Sequence, residues 1–179
     1  MKLLLHACCA PCSCAIVETL LKEGITPTIY YCNPNIYPLQ EYERRRDECK
    51  RFAEGSGVPF VEAEYTHAVW LQCVHGLEDE PERGARCLEC FKHRLLSAAG
   101  YAASHGFDTL STTLASSRWK NLEQIADAGR WAAQHCGLQW LDRNWRKGGL
   151  QERRGQIIKE QGFYNQLYCG CEFSMRNSK

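Results

Sequence analysis

Apolar and polar positions alternate along the chain in short blocks that predict strands and helices in turn. Lys2–His6 is an apolar run that ends at a cysteine-rich segment, and the apolar residues of Ser13–Glu23 then recur at helical spacing before Gly24. Thr26–Cys32 is rich in β-branched and aromatic residues and ends at Asn33-Pro34-Asn35. The chain is therefore predicted to begin with a strand, a helix and a second buried strand.

The same alternation continues along the rest of the chain. Further helices are predicted over Pro38–Glu54, Thr66–His75, Leu88–His105, Asn121–His135 and Gly149–Gln161, and further strands over Val58–Glu62, Asp108–Thr113 and Leu138–Leu141. Strands separated by helices need crossover connections, which produce a parallel sheet covered on both faces. We therefore predict a Rossmann-like (HUP-like) three-layer α/β fold with about five parallel strands, and treat residues 1–179 as a single domain.

The amino-acid composition limits the class of protein to which this fold can belong. Of the 179 residues, 44% are apolar and 11% aromatic, so the chain can bury a core without disulfides. The N-terminal apolar run is interrupted by His6 and Pro11 and is too short for a signal peptide, and no stretch approaches the roughly 20 apolar residues of a membrane span. We therefore expect a cytoplasmic protein with no membrane partner, whose cysteines serve metal binding or catalysis.

Seven of the twelve cysteines lie in three tight clusters, a grouping that points to a metal centre or a thiol redox device. The clusters are Cys8-Cys9-Ala10-Pro11-Cys12, Cys87-Leu88-Glu89-Cys90 and Cys169-Gly170-Cys171. Adjacent cysteines and a C-x-C strain the geometry of a structural disulfide. The first cluster follows the first strand, and sites in open α/β sheets form at the carboxyl ends of strands. We expect the three clusters to converge there, with the polar loop Gly76–Arg86 mobile and the C-x-x-C capping the following helix.

Three chemistries suit these thiolates. A zinc site uses four cysteines from two pairs, a dithiol redox enzyme uses a C-x-x-C at a helix start, and an iron–sulfur cluster uses four thiolates and leaves three for a second metal or a redox pair. Only the last uses all seven, but on spacing alone zinc and a cluster remain equally good interpretations. The other cysteines are predicted to be core residues or inert thiols, namely Cys14, Cys32, Cys49, Cys73 and Cys136.

The net charge of +1 hides an asymmetry between the two parts of the chain. Residues 1–117 hold 11 Lys and Arg against 15 Asp and Glu, whereas residues 118–179 hold 11 against 6. The basic residues of the second part cluster around tryptophans, as in Arg118-Trp119-Lys120 and Arg143-Asn144-Trp145-Arg146-Lys147. Any one cluster also fits a solvated helix face, but together they favour a nucleic-acid partner.

Five motifs in order give the chain a resemblance that covers nearly its whole length. They are His6-Ala7-Cys8-Cys9-Ala10-Pro11-Cys12-Ser13, Tyr31-Cys32-Asn33-Pro34-Asn35-Ile36-Tyr37-Pro38 with Glu41-Tyr42 and Arg45, Arg86-Cys87-Leu88-Glu89-Cys90-Phe91, Thr112-Thr113-Leu114-Ala115-Ser116-Ser117 with Lys120-Asn121, and Tyr168-Cys169-Gly170-Cys171-Glu172-Phe173-Ser174. Together they resemble the QueH family of epoxyqueuosine reductases.

The resemblance implies a cobalamin-independent oxidoreductase that reduces epoxyqueuosine to queuosine at wobble position 34 of tRNAs with GUN anticodons, those for Tyr, His, Asn and Asp, using an unidentified electron donor. It implies a [4Fe-4S] cluster on Cys8, Cys9, Cys87 and Cys90, and an adjacent mononuclear iron or other metal, or a redox pair, on Cys12, Cys169 and Cys171. A mixed assignment fits the sequence equally well. Family members can carry Asp at the position of Cys12, where thiolate is the softer ligand.

The chemistry agrees with two redox centres. Conversion of an epoxide to an alkene takes two electrons and two protons, whereas one cluster ordinarily transfers one electron. We expect a metal to bind the epoxide oxygen and a nearby acid to protonate it. The candidate donors are His6, Tyr37 and Tyr42, although His6 at a strand end also fits a core histidine.

The predicted tRNA contacts lie on both sides of the thiol clusters. They are Tyr37, Tyr42 and Arg46 on one side, Ser116, Ser117, Arg118, Lys120 and Asn121 on the other, and Arg146 and Lys147 on phosphates. The two tyrosines equally fit a packing role.

Two rival functions are weighed. A zinc-stabilised RNA-binding module without redox activity would give colourless protein that contains zinc. A tRNA-sulfurating enzyme would need a glycine-rich phosphate loop after the first strand, where this chain has Cys8-Cys9-Ala10-Pro11-Cys12-Ser13. We discount the second for that reason.

Overall fold

The computed structural model describes residues 1–177, with side chains to residue 175. Its strands are β1 (Leu3–Ala7), β2 (Thr28–Tyr31), β3 (Phe60–Glu62), β4 (Thr109–Thr112) and β5 (Gln139–Trp140). Its helices are α1 (Ala10–Lys22), α2 (Leu39–Gly55), α3 (His67–Cys73), α4 (Ala85–Ser104), α5 (Leu122–His135) and α6 (Leu150–Gln161). Within residues 1–177 the five strands form one parallel sheet in the order β3-β2-β1-β4-β5. The predicted α/β fold is confirmed.

Strand β1 lies at the centre of the sheet and is buried along its whole length. Leu5 aligns with Ile29 of β2 on one side and with Ser111 of β4 on the other. Helix α1 contacts α2 and α6, whereas α4 contacts α3 and α5, as expected for helical layers on the two faces. Because β2 and β4 lead away from β1 in opposite directions, a crevice opens beyond the carboxyl ends of β1 and β4.

Two helices begin earlier than the sequence predicts, and each therefore includes a cysteine in its first turn. Helix α1 begins at Ala10 rather than Ser13, because Pro11 suits the first turn, where no backbone N–H is needed. Helix α4 begins at Ala85 rather than Leu88, so Cys87 lies in its first turn instead of capping it.

The loop before α4 is held by hydrogen bonds from the side chain of Arg86, a residue in the first turn of that helix. The buried guanidinium of Arg86 donates to the carbonyls of Leu77, Glu78 and Glu80. These contacts argue against the mobility expected for this loop, because they hold three of its carbonyls in place. No helix in the described part of the chain has both the length and the apolar character needed to cross a membrane.

Candidate metal and redox centre

The first cysteine cluster is assembled by the junction of β1 and α1. Cys8 follows the strand, Cys9 is the N-cap residue of α1, and Cys12 lies in its first turn. Their three sulfur atoms lie within 4.8 Å of one another, and the Cys8 and Cys9 sulfurs are 3.7 Å apart. The positive end of the helix dipole favours thiolates at this position. We call Cys8, Cys9 and Cys12 the inner thiol group, which could bind a metal ion.

The other four clustered cysteines come from two distant segments. Cys87 and Cys90 lie on α4, and Cys169 and Cys171 lie in the segment that follows α6. The backbone N–H of Cys171 is 3.4 Å from the Cys169 sulfur, which is also 3.1 Å from the Ser174 hydroxyl. We call Cys87, Cys90, Cys169 and Cys171 the rim thiol group.

The segment that carries Cys169 and Cys171 is held against α2 and the loop before it. Nη1 and Nη2 of Arg45 donate to the carbonyls of Cys169 and Tyr168, each at 3.0 Å. The backbone N–H of Tyr37 donates to the Gly170 carbonyl at 2.9 Å. Buried Arg45 therefore holds Cys169 and Cys171 in place through the backbone of their segment. The sequence offered one signal for this arrangement, a charged residue on the apolar face of a predicted helix.

Both groups open into one cavity of about 650 Å³. Six of the clustered cysteines line it, namely Cys8, Cys12, Cys87, Cys90, Cys169 and Cys171. The convergence expected from the sheet topology is therefore what the structure contains. A second cavity, of about 420 Å³ between α5, β4 and β5, has no cysteine in its lining. The larger cavity is therefore the candidate site, and its volume suits a small-molecule or nucleoside ligand.

Each pair of neighbouring thiols is polarised into one anionic and one protonated member. Hydrogen bonds from Cys12 and Cys9 hold the pKa of Cys8 well below its ordinary value, whereas the hydrogen bond to Cys8 raises the pKa of Cys12 to about 12. In the rim group, the hydrogen bond from Cys171 lowers the pKa of Cys169, and the same contact raises that of Cys171. Hydrogen bonds to Cys12 and Cys8, together with burial, likewise raise the pKa of Cys9, so only one thiolate is favoured in each group unless a cation compensates further negative charge.

Several cationic side chains lie beside the thiols. The Arg154 guanidinium lies 3.8 Å from the Cys12 sulfur and donates to the Pro11 carbonyl, and buried Arg94 lies 3.9 Å from the Cys90 sulfur. Arg45 and Lys120 also line the cavity. Burial by itself lowers the pKa of Lys120, but the charges of Cys169, Cys8 and Cys12 raise it above its ordinary value. Within residues 1–177 no carboxylate forms an ion pair with Lys120.

This donor set fits a thiolate-bound metal centre. Soft thiolates are the ligands of zinc and of iron–sulfur clusters, and the surrounding cations offset the negative charge of such a centre. Sequence reasoning did not place Arg94 or Arg154 at this site. Arg94 had a visible signal in its position on the apolar side of α4, whereas Arg154 had only its membership of a basic pair.

The structure places the three candidate proton donors outside the cavity. His6 is fully buried, with Nδ1 2.8 Å from the Thr112 hydroxyl and Nε2 2.9 Å from the Cys32 carbonyl, and burial lowers its pKa to about 3. Tyr42 is buried and donates its hydroxyl to Glu62. Tyr37 is exposed, with its ring stacked on His67. His6 and Tyr42 therefore have structural roles, which argues against the catalytic role predicted for His6 and the tRNA contact predicted for Tyr42.

Some of the predicted tRNA contacts have side chains that are already engaged within the protein, and others are exposed or line the cavity. The Arg146 guanidinium donates to the carbonyls of Ala115, Ser117 and Lys120, so it supports a loop and is not free for phosphate. Asn121 caps α5 by accepting from the N–H groups of Glu123 and Gln124, although it also lines the cavity. Ser116 and Ser117 are buried. Arg46 forms ion pairs with Asp47 and Glu62 at the surface. Arg118 and Lys147 are exposed, and Lys120 faces the thiols.

Comparison with known proteins agrees with the resemblance in the motifs. A family model described as epoxyqueuosine reductase QueH matches residues 3–177. The chain is 48% identical over 178 residues to the epoxyqueuosine reductase QueH of Acinetobacter baylyi, covering 99% of this chain and 82% of that protein. It is 35% identical over 175 residues to that of Thermotoga maritima, covering 96% and 89%. With that of Streptococcus pyogenes the identity is 35% over 181 residues, covering 98% and 71%.

Proposed function

The chain belongs to the QueH family of epoxyqueuosine reductases, and we propose that it acts on epoxyqueuosine at wobble position 34 of tRNAs with GUN anticodons, those for Tyr, His, Asn and Asp. It is an oxidoreductase that removes the epoxide oxygen. The observation that carries the proposal is the single cavity lined by six cysteines from three segments of the chain.

For the cofactor, we propose a [4Fe-4S] cluster on Cys8, Cys9, Cys87 and Cys90, beside which Cys12 offers a ligand to an adjacent iron. The close approach of the Cys8, Cys9 and Cys12 sulfurs and the cationic surroundings support a metal centre at this position. The division of the ligands between a cluster and an adjacent iron follows the family resemblance. When bound, such a centre supplies one-electron transfer and a Lewis acid.

Cys169 and Cys171 are proposed as a dithiol redox pair. Their sulfurs interact, and their pKa values are shifted in opposite directions, which gives one nucleophilic thiolate and one protonated partner. A disulfide across a C-x-C is strained and therefore readily reduced. Two thiols plus the epoxide give a disulfide, an alkene and water, so the two electrons and two protons balance. An electron donor then returns the disulfide to two thiols.

Lys120 is proposed to assist loss of the epoxide oxygen. It lines the cavity, its charge interacts with Cys8, Cys12 and Cys169, and within the described residues no carboxylate forms an ion pair with it. Its ammonium donates a hydrogen bond to the oxygen as negative charge develops there, a contribution that is largest in a water-poor site. It takes the place that the sequence prediction gave to His6, Tyr37 or Tyr42.

The proposal is tested on protein purified without oxygen. We expect wild-type protein to contain iron, to absorb visible light and to convert epoxyqueuosine in tRNA in the presence of a chemical reductant. Cys87→Ser should lose iron and turnover, since it removes a cluster ligand. Cys73→Ser is the matched control, because Cys73 is exposed and lies outside the cavity lining, and it should behave as wild type.

A third variant separates the redox pair from the cluster. Cys171→Ser should keep its iron but lose turnover. Colourless wild-type protein that contains zinc would instead support an RNA-binding module without redox activity. A Cys87→Ser protein that retains both iron and turnover would overturn the ligand assignment.

A further inference from the structure

We propose that Trp119 is a stacking platform for the anticodon-loop base next to the modified nucleotide, held rigid by Arg83. This inference rests on the proposed function, since it takes tRNA as the substrate. Trp119 is 81% exposed, yet it also lines the cavity that contains the thiols. A single exposed apolar residue needs no explanation, so the argument depends on how its backbone is held.

Two arginines donate hydrogen bonds to the four successive carbonyls of residues 117–120, the loop that carries Trp119. Arg83 donates from Nε to the Trp119 carbonyl at 3.0 Å and from Nη2 to the Arg118 carbonyl at 2.8 Å. Arg146 donates to the carbonyls of Ser117 and Lys120 on either side. Four successive carbonyls are thus fixed by side chains, although the loop is at the surface. The indole is therefore presented in a defined position rather than left on a free loop.

Arg83 connects this loop to the thiol centre. Its φ is 68°, which makes it the only non-glycine residue with left-handed backbone conformation between residues 1 and 177. Its N–H points to the Cys87 sulfur at 3.4 Å, and its carbonyl accepts from Gln124. Strained backbone of this kind persists where the surroundings hold it and concentrates at functional sites. Arg83 thus contacts both Cys87 and the loop that carries Trp119.

The register of the loop indicates what stacks there. Trp119 points outward, whereas the side chain of the next residue, Lys120, lines the cavity among the thiols. A base on Trp119 is therefore adjacent to a base inserted towards Lys120. Single-stranded RNA loops are recognised by splayed bases stacked on aromatic rings, with cations beside the backbone. Exposed Arg118 supplies such a cation on the outer side.

The test uses an anticodon stem-loop RNA with ordinary guanosine at position 34, which binds without turnover. Stacking on one aromatic residue contributes about 1–3 kcal/mol by alanine substitution, so Trp119→Ala should raise Kd by about 5- to 150-fold. Trp119→Tyr, which keeps a ring, should stay within about threefold of wild type. Trp131→Ala is the matched control, because Trp131 is also exposed but its ring lies against His135 on α5, and it should not change Kd.

A salt titration distinguishes stacking from lost charge or altered structure. Trp119→Ala should leave the slope of log Kd against log salt unchanged, because no phosphate contact is removed, whereas Arg118→Ala should flatten it. The inference fails if Trp119→Ala binds the stem-loop as tightly as wild type. It also fails if Trp131→Ala weakens binding equally.

The two proposals fail in different ways. Wild-type protein that binds the stem-loop and reduces epoxyqueuosine, with unchanged binding by Trp119→Ala, overturns the platform alone. Wild-type protein that neither binds the stem-loop nor reduces the modified tRNA overturns the proposed function, and the platform with it.

Discussion

The inner and rim thiol groups meet in one cavity but are built by different means. The inner group comes from five consecutive residues, Cys8 to Cys12, at the junction of the central strand and its helix. Its geometry follows from local structure once β1 is in the sheet. The rim group joins residues about 80 positions apart in sequence, and half of it depends on a C-terminal segment with no strand or long helix of its own.

The sheet holds the inner group in place, whereas a side chain and one backbone bridge hold the C-terminal half of the rim group. Arg45 binds two carbonyls of the C-terminal segment, and a single bridge pairs Ile36 with Cys171. The rim group is itself divided, because Cys87 and Cys90 lie on helix α4 whereas Cys169 and Cys171 are held through their backbone by Arg45. The thiols on or next to regular secondary structure are the ones we propose as metal ligands, and the two held through their backbone are the ones we propose as the redox pair.

The largest effect is expected where the two thiol groups meet, at Lys120. Lys120→Met removes a cation whose charge interacts with Cys8, Cys12 and Cys169. Loss of a preorganised donor to a developing oxyanion typically costs about 10²–10³-fold in kcat. We expect that fall in single-turnover rate, with iron content unchanged.

Lys50→Met is the control, because Lys50 is exposed on α2 and has no ion pair among the described side chains. It should leave the rate as in wild type. A Lys120→Met protein with normal kcat but weakened tRNA binding would restore the sequence-based interpretation of Lys120 as a tRNA contact.

A smaller effect is expected from Gly170→Ala, which acts on the rim alone. Gly170 has φ of 108°, and a Cβ there would lie 2.8 Å from Ile36 Cγ1 and 3.1 Å from Arg45 Nη1. The C-terminal segment must shift to relieve this contact, and misplacement by about 1 Å costs up to ~100-fold in rate. We expect kcat to fall by about 10- to 100-fold while iron bound by the other cysteines is retained.

Gly155→Ala provides a matched control within α6. No atom lies within 4 Å of a Cβ at Gly155, and alanine favours the helix by up to about 1 kcal/mol. It should keep full activity and unfold at the same or higher denaturant concentration. If Gly170→Ala were equally active, the rim would not need its present geometry.

The order of the elements and the meeting of the cysteines could be predicted because both follow from short-range patterns. Parallel strands share their carboxyl ends at one edge, so a cluster after the first strand marks that edge. Roles set by tertiary hydrogen bonds could not be predicted. Arg146 looks like a surface cation in sequence, but it binds three carbonyls of a neighbouring loop. In sequence Tyr42 fits a tRNA contact and a packing role equally well, and the structure shows it buried with its hydroxyl donating to Glu62.

Some of the features that the sequence prediction missed were nevertheless indicated by the sequence. Pro11 at the start of α1 indicated that the helix includes Cys12, and Arg45 and Arg94 occupy apolar faces of predicted helices. A charged residue on such a face needs a buried partner. For Arg45 and Arg94 the partners are carbonyls and thiols of the site, which the topology alone did not specify.

The smallest effect is expected from Glu18→Gln, which tests how far the inner group depends on its surroundings. Glu18 on α1 pairs with Arg153 of α6 at 2.7 Å, next to Arg154, which contacts Cys12. The hydrogen bond from Arg153, with that from Lys22, lowers the pKa of Glu18 from 4.5 to about 2. The pair is partly exposed, so solvent screening limits its contribution to about 1 kcal/mol or less.

The direction of the pH dependence follows from the lowered pKa. The stabilisation is complete above the unfolded value of 4.5 and is lost as the pH falls towards 2. Urea unfolding should therefore show Glu18→Gln less stable than wild type at pH 7, with a gap that narrows below pH 4.5. Iron content and kcat should not change, because strand β1 and the first turn of α1 already fix the inner thiols. Loss of iron in Glu18→Gln would show instead that the inner group needs α6 to hold its shape, and the contrast with the rim would then disappear.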